Sequence, residues 1–224
     1  MSRGVHKMRK GLLPIVIIGS VAGNVSSVDG TTHSVGNIDV GPGGSKNVIM
    51  GITWNDGAVV ALSSMTVGGV GLTIVAQVNN AGGSKTGSAI CVGDISSING
   101  SQAISCTFAA AVDSCGASGV SITGLQSLTE TMVDTDFQDG GASPVITNLA
   151  AEINGIAFAV CANNADTVTA SWSSLTEKAD IATGSGGGNH RHTSAWDLGE
   201  RSAANETITW TDSDKRTAVG AGFT

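Results

Sequence analysis

The sequence predicts an all-β fold: a jelly-roll-like β-sandwich with an extended N-terminal arm. Short runs rich in Val, Ile and Thr recur about every 8 to 14 residues, with Gly, Asn or Asp turn signals between them. The chain has 32 Gly but only 3 Pro, and charged residues make up 13% of it, which suits many strands joined by tight turns. No stretch combines helical apolar spacing with good helix formers throughout, so helices are not expected.

The strands are predicted in chain order as apolar or alternating runs bounded by turn residues. In the first half they are Pro14–Val21, Thr32–Val40, Lys46–Thr53, Ser64–Val67, Val70–Val78, Ser88–Ile95, Ala103–Ala109 and Ala117–Leu125. In the second half they are Pro144–Leu149, Gly155–Ala162, Thr167–Trp172, Leu175–Ile181, His190–Trp196, Glu206–Thr211 and Arg216–Phe223. Gly68-Gly69 suits a two-residue hairpin loop, and Asn99-Gly100 predicts another turn. The strand pattern continues on both sides of the loop Gly184–Gly188, so residues 13–224 are predicted to form one domain.

The N-terminal segment differs in charge from the rest of the chain. Residues 1–10 contain four basic residues and no acid, so the remainder carries 18 acidic and 7 basic residues. A charged leader followed by the apolar run Leu12–Ile18 is typical of a secretory signal peptide, but Pro14 and the β-branched residues favour a first strand. We therefore predict that residues 1–12 form a basic arm that leads into that strand.

The acidic body limits the partners that we expect. Phosphate contacts need clustered Lys or Arg, so no nucleic-acid partner is predicted. The apolar run Leu12–Ile18 is too short to span a bilayer, and no membrane partner is predicted either. The basic arm is suited to an acidic protein surface, although a solvated basic terminus is the simpler interpretation.

The sequence contains no recognisable catalytic motif. Neither a Gly-x-Ser-x-Gly elbow nor a His-Glu-x-x-His pair is present, so we predict a non-enzymatic protein without a metal or cofactor. His190 and His192 would point to the same face of a strand, with Trp196 nearby, which makes these three residues a candidate ligand contact. The alternative is a polar strand edge after a glycine loop, because two histidines form an incomplete metal site.

Two acidic stretches and four cysteines leave their roles open. Asp134, Asp136 and Asp139, like Asp212 and Asp214, predict either solvated turns or a calcium-binding loop. The cysteines form no Cys-x-x-Cys pair. Cys91 and Cys106 would face each other if the turn at Asn99-Gly100 closed a hairpin, so a disulfide between them is undecided.

Several segments resemble a family of β-sandwich virion proteins encoded by tailed bacteriophages and prophages. They cover about a third of the chain and are structural in character: Leu13-Pro-Ile-Val-Ile-Ile-Gly-Ser, Met65-Thr-Val-Gly-Gly-Val-Gly-Leu-Thr-Ile-Val-Ala, Ser114-Cys-Gly, Ser121-Ile-Thr-Gly-Leu-Gln-Ser, Trp172-x-x-Leu-Thr-Glu-Lys-Ala-Asp and the ending from Thr209-Trp-Thr to Lys215-Arg-Thr-Ala-Val-Gly-Ala-Gly-Phe. The resemblance implies a virion component with no catalytic residues.

The resemblance does not distinguish the head from the tail. Because the chain is short for a tail fibre and has no coiled-coil or repetitive shaft, we expect a capsid decoration protein on the exterior of the head. Its partners would be the major capsid protein or other virion proteins, and it would be a homo-oligomer, a trimer being one arrangement. The residues expected to attach it are Arg3, Lys7, Arg9, Lys10, Leu12, Leu13, Ile15 and Ile17. Two alternatives are a tail-associated receptor or glycan-binding protein, and a secreted or cell-surface sandwich cleaved after Ala22 or Gly23.

Overall fold

A computed structural model describes residues 14–80, 85–184 and 188–224. The prediction of an all-β protein is confirmed: the described residues form antiparallel sheets and contain no helix. The predicted arm at residues 1–12 lies outside the described residues. The extension of a single domain over residues 13–224 stays a prediction.

The first half of the described chain forms two sheets. Its strands are β1 (Val16–Ser26), β2 (Gly30–Asp39), β3 (Asn47–Asp56), β4 (Leu62–Val67), β5 (Val70–Gly71), β6 (Thr73–Asn79), β7 (Lys85–Asp94), β8 (Ser101–Val112) and β9 (Ser114–Thr123). The first inner sheet has the order β1-β9-β3-β7-β6, and the first outer sheet has the order β2-β8-β4-β5. The hairpin predicted at Gly68-Gly69 is confirmed, because Val67 pairs with Val70 and both glycines have positive φ angles, 58° and 81°.

The second half repeats the strand order of the first. Its strands are β10 (Glu130–Gln138), β11 (Val145–Ala151), β12 (Ile156–Asn163), β13 (Ala170–Trp172), β14 (Glu177–Ala182), β15 (Arg191–Leu198), β16 (Arg201–Trp210) and β17 (Arg216–Phe223). The second inner sheet has the order β10-β17-β12-β15-β14, and the second outer sheet has the order β11-β16-β13. Each pairing of the second half therefore has a counterpart in the first, and among the described strands the two-residue β5 has none.

The four sheets stack as layers around three apolar cores. One core lies between the outer and inner sheets of the first half, and another between those of the second half. The middle core joins the two inner sheets and includes Ile49, Ile90, Val120, Phe158, Trp196 and Val219. Strands β12 and β17 are consequently buried along their whole length, whereas the outer strand β2 alternates between buried and exposed residues.

The two halves contact each other reciprocally. Strand β6 lies against β10, and β1 lies against β14, which is the relation that an approximate two-fold axis between the halves produces. Glycine on β3 permits the close approach: a Cβ atom on Gly51 would lie 2.9 Å from the Cβ of Val160 and 3.0 Å from Cε1 of Phe158. A larger residue at Gly51 would force the inner sheets apart.

Strand β10 corrects the sequence interpretation of the first acidic stretch. Asp134 and Asp136 lie on this strand and not in a turn. The Asp134 carboxylate accepts hydrogen bonds from the backbone N–H and the hydroxyl of Thr147 at 2.6 and 2.7 Å, and Asp136 accepts one from the Val145 N–H at 2.8 Å. These carboxylates join β10 to β11. Asp is common in turns, but here its acceptors satisfy backbone donors of a neighbouring strand.

The hairpin considered for Cys91 and Cys106 is also absent. Strand β7, which carries Cys91, belongs to the first inner sheet, and β8, which carries Cys106, belongs to the first outer sheet. The turn at Asn99-Gly100 therefore connects two sheets. All four cysteines are free and buried, and burial raises the pKa of Cys91 to about 12. The thiols thus act as small apolar core groups.

Glu206 fixes the second outer sheet to the loop that follows β13. Its buried carboxylate accepts hydrogen bonds from the N–H groups of Ser174 and Leu175 at 2.9 and 3.2 Å, and from Arg201 Nη2 at 3.0 Å. The hydroxyls of Ser173 and Ser174 donate two more. Burial acts to raise the pKa of Glu206, but these hydrogen bonds outweigh it and lower the pKa.

We expect Glu206→Ala to reduce the free energy of unfolding by about 3 kcal/mol, because it leaves buried amide donors and the Arg201 charge without an acceptor. Urea denaturation at neutral pH measures this loss. The matched control is Glu200→Ala, which removes an exposed carboxylate and should change the free energy by less than about 0.5 kcal/mol. Equal losses in the two variants would contradict the structural role of Glu206.

Candidate interaction surfaces

The predicted attachment residues fall on both sides of the first described residue. Arg3, Lys7, Arg9, Lys10, Leu12 and Leu13 lie outside the described residues. Ile15 is half-buried and packs against the middle core, so its side chain stabilises the fold. Ile17 lies on β1 and is 43% exposed, which leaves it accessible to a partner.

Among the described strands, β1 lies at the edge of its sheet and has exposed apolar side chains. It is the terminal strand of the first inner sheet and hydrogen-bonds to β9 alone in that sheet. Val16, Ile17 and Val25 are 52%, 43% and 41% exposed, and Val28 in the following turn is also exposed. Register shifts after Ile17 and Val21 interrupt its regular pairing, a feature that hinders uncontrolled edge-to-edge association. The edge is therefore an accessible apolar surface whose irregular pairing limits the addition of another strand.

His190 lies inside the molecule, where the two halves meet. Its Nε2 is 2.8 Å from Oγ1 of Thr53 on β3, in the other half of the chain. Its Nδ1 is 3.0 Å from Oγ of Ser114 and 3.1 Å from Oγ1 of Thr183. Both ring nitrogens are thus hydrogen-bonded across the interface between the inner sheets.

His192 extends the same network. Its Nδ1 is 2.9 Å from Oγ1 of Thr53, and its Nε2 is 2.8 Å from Oγ of Ser118, which donates a hydrogen bond to Oγ of Ser194 at 2.6 Å. The single hydroxyl proton of Thr53 can go to only one imidazole, so the other imidazole donates to Thr53. The imidazole that accepts the Thr53 proton must therefore be neutral.

The buried histidines are held in their neutral form. Burial lowers the pKa of His190 to about 3, and the neighbouring His192 acts in the same direction. Burial likewise lowers the pKa of His192 to about 3. Both side chains are fully buried, so a solvent ligand reaches neither ring while the inner sheets stay packed. The hydrogen-bond network thus connects the two halves of the chain.

Trp196, the third member of the candidate ligand contact, also faces the middle core. Its side chain is 3% exposed and stacks on Phe158, with ring centroids 5.2 Å apart and ring planes inclined by 10°. The Nζ of Lys178 lies over the Trp196 ring, 5.9 Å from its centroid, at a cation–π distance. In this structure the ring does not present an open face to a sugar.

No local sequence pattern indicates the partners of the histidines. Thr53 lies between Ile52 and Trp54, and a polar residue that alternates with apolar ones is typical of a solvent-facing position, but this strand is buried on both faces. In the described part of the chain no group of three His, Cys, Asp or Glu side chains is arranged to hold a metal ion. A helix long and apolar enough to cross a membrane does not occur there either.

No protein-family model matches this chain, and no curated protein or solved structure is significantly similar to it.

Proposed function

We propose that this chain is a non-enzymatic virion structural protein that decorates the exterior of the head of a tailed bacteriophage. The observation that carries the proposal is the exposed apolar start of the edge strand β1, which follows the basic residues Arg3 to Lys10 within six residues. The rest of the chain is acidic and consists of layered sheets. A layered β protein with one exposed apolar edge is suited to a structural role on the surface of another protein.

The strand order supports the jelly-roll part of the proposal. In each half the first, last, third and third-from-last long strands are adjacent in the inner sheet, while the second, the next-to-last and the fourth are adjacent in the outer sheet. This is the order in which a jelly roll wraps two Greek keys into two sheets. We propose that the chain contains two jelly rolls joined through their inner sheets.

Attachment would combine two forces. Covering the exposed side chains of Val16 and Ile17 contributes apolar burial, about 25 cal/mol for each Å² removed from water. The basic residues of the arm add attraction to an acidic capsid surface, and this part weakens with salt. Because the protein would bind only assembled capsid subunits, each bound copy stabilises the shell by mass action.

The two alternatives receive less support from the same observations. Cleavage after Ala22 or Gly23 in a secreted protein would remove Val16–Val21, which pair with β9 in the first inner sheet. The glycan-binding alternative relied on Trp196, whose side chain is buried and stacked on Phe158. A tail-associated role remains an outcome of the localisation experiment.

Immunogold electron microscopy of phage particles from a lysate that contains this protein tests the location. We expect gold over the whole surface of the heads. Gold confined to the tails would replace the decoration role with a receptor-binding role, and particles without gold would overturn the assignment to the virion.

We expect Ile17→Asp to weaken binding to capsid particles at least tenfold, about 1.4 kcal/mol, because it places a charge on the apolar edge. Co-sedimentation of purified protein with particles lacking it measures the affinity. Val59→Asp is the matched control, since Val59 is 55% exposed and lies in the loop after β3. Equal binding by the two variants would show that the β1 edge is not the attachment surface.

A further inference from the structure

Two acidic grooves lie at the end of the molecule where the described chain begins. Asp94 at the end of β7 and Glu130 at the start of β10 line the first groove, whose volume is about 470 Å³. Glu152 and Glu200 line the second groove, whose volume is about 550 Å³. Thr131 borders the second groove and directly follows Glu130, so the two grooves are neighbours along the start of β10.

Both grooves combine carboxylates with apolar surface. Ile74 and Val75 contribute to the first groove. Ile153 contributes to the second and is 63% exposed, the second most exposed large apolar side chain among the described residues. A ligand that suits both grooves is therefore an extended chain with basic and apolar side chains.

The carboxylates of the grooves are not neutralised by the described bases. None of the three ion pairs among the described residues involves Asp94, Glu130, Glu152 or Glu200. Arg201 borders the second groove but pairs with Glu206 at 3.0 Å. Lys46, at the same end of the first inner sheet, donates instead to the backbone carbonyls of Pro42 and Ile98. The grooves thus keep their negative charge.

The start of the described chain is close to these grooves. A Cβ atom on Gly124 would lie 2.5 Å from the carbonyl oxygen of Pro14, which fixes Pro14 at the end of β9. Along the strand pairings Ile17 is level with Ile122, Asn47 and Asp94. Three inter-strand spacings, roughly 14 Å, therefore separate β1 from β7 at this end.

We propose that the basic segment Arg3–Lys10 of the same chain docks along these two acidic grooves. Four basic residues would meet four carboxylates, and Met8 would lie on the apolar floor. The four residues from Lys10 to Pro14 span about 13 Å when extended, and the eleven from Arg3 to Pro14 span about 36 Å, so the segment is long enough to cross the roughly 14 Å to the first groove and to continue beyond it. The acids at the opposite end, among them Asp56 and Asp113, lie about 30 Å further along the strands, beyond the reach of Arg9 and Lys10.

Docking would give the arm a second binding site, in addition to the capsid contact proposed above. A segment held in the grooves would have to leave them before it bound a capsid. The docking itself concerns the free protein and does not depend on the capsid assignment.

Carbodiimide crosslinking of the full chain tests the proposal, because this reagent joins a lysine amine to a carboxylate only when they form a direct ion pair. We expect mass spectrometry to find Lys7 or Lys10 linked to Asp94, Glu130, Glu152 or Glu200. The yield should fall at least fivefold between about 20 and 500 mM NaCl, because salt screens exposed charges. Links found mainly to Asp56 or Asp113, or no links at all, would overturn the proposal.

A second comparison separates docking within one chain from docking between copies. Mixing ¹⁵N-labelled and unlabelled protein should give crosslinked peptides of a single isotope composition, and mixed pairs would assign the grooves to the arm of another copy and overturn the proposal.

Trypsin digestion at low salt provides a further test, because a docked arm is protected from cleavage after Lys7 and Arg9. In the groove variant Asp94→Asn, Glu130→Gln, Glu152→Gln, Glu200→Gln this cleavage should be at least fivefold faster than in the unmodified protein. The control variant Asp29→Asn, Asp56→Asn, Asp113→Asn, Asp139→Asn should retain the protection, and equal loss in both would also contradict the proposal.

Discussion

Lowering the pH from about 7.5 to 5 reduces the free energy of unfolding by about 4 kcal/mol, about 2 kcal/mol for each of His190 and His192. In the folded protein both have a pKa of about 3, whereas an unperturbed histidine has a pKa of 6.5. Below pH 6.5 the unfolded chain binds protons that the folded protein excludes. The stability that the two neutral histidines contribute is therefore fully present above pH 6.5 and is lost as the pH falls from 6.5 towards 3.

Urea denaturation at a series of pH values measures this loss. The variant His190→Gln, His192→Gln keeps polar side chains but cannot titrate, so it should be less stable at neutral pH and lose most of the dependence between pH 5 and 7.5. Asp113 and Glu177 have raised pKa values and act in the opposite direction, but they are present in both proteins and cancel in the comparison. A variant with the pH dependence of the unmodified protein would refute the assignment.

The position of the network indicates which part of the molecule acid weakens first. The histidines belong to the second half, while Thr53, Ser114 and Ser118 belong to the first. A proton on either ring would place a charge in the interface between the inner sheets, where the described network offers hydroxyl groups and no carboxylate. We expect acid to loosen this interface before it loosens the outer layers.

The second large effect is expected for Phe158→Ala, which should reduce the free energy of unfolding by about 4 kcal/mol. The ring is fully buried in the middle core, stacked on Trp196 and next to Gly51 of the other half. Its removal leaves a cavity at the centre of the molecule. Because both halves contribute to this core, the variant should still unfold in a single transition at a lower urea concentration.

Phe137→Ala is the matched control, since the same atoms are removed from a ring that is 48% exposed on β10. It should cost less than about 1 kcal/mol. Tryptophan fluorescence provides a second readout, because loss of the stacked ring changes the surroundings of Trp196, one of four tryptophans, in the Phe158 variant alone. Equal destabilisation by the two substitutions, or two separate unfolding transitions, would contradict the description of a shared middle core.

Most of the strands could be predicted because their residues follow simple local rules. The predicted runs Gly155–Ala162 and Arg216–Phe223 are rich in strand-forming or apolar residues and bounded by turns, and both correspond to strands of the second inner sheet. Strand β10 was missed because Asp134, Asp136 and Asp139-Gly140 together look like a turn. Only the position of β11 reveals that two of these carboxylates have backbone donors as partners.

The candidate site was less predictable than the fold. His190 and His192 were recognised as a pair on one face of a strand, but their partner Thr53 is 137 and 139 residues away in the chain. A local pattern cannot indicate whether the face of such a strand meets solvent or a second sheet. The repeated strand order was likewise invisible, because the halves share an order of pairing and not a repeated residue pattern.

This repeated order gives the chain the character of a dimer made from a single polypeptide. The segment between Thr123 of β9 and Glu130 of β10 is short and keeps the two halves close together. The effective concentration of one half around the other therefore does not change when the protein is diluted. Association of the two sandwiches therefore needs no threshold amount of protein. Each molecule would be assembled when its synthesis ends, however few copies are made.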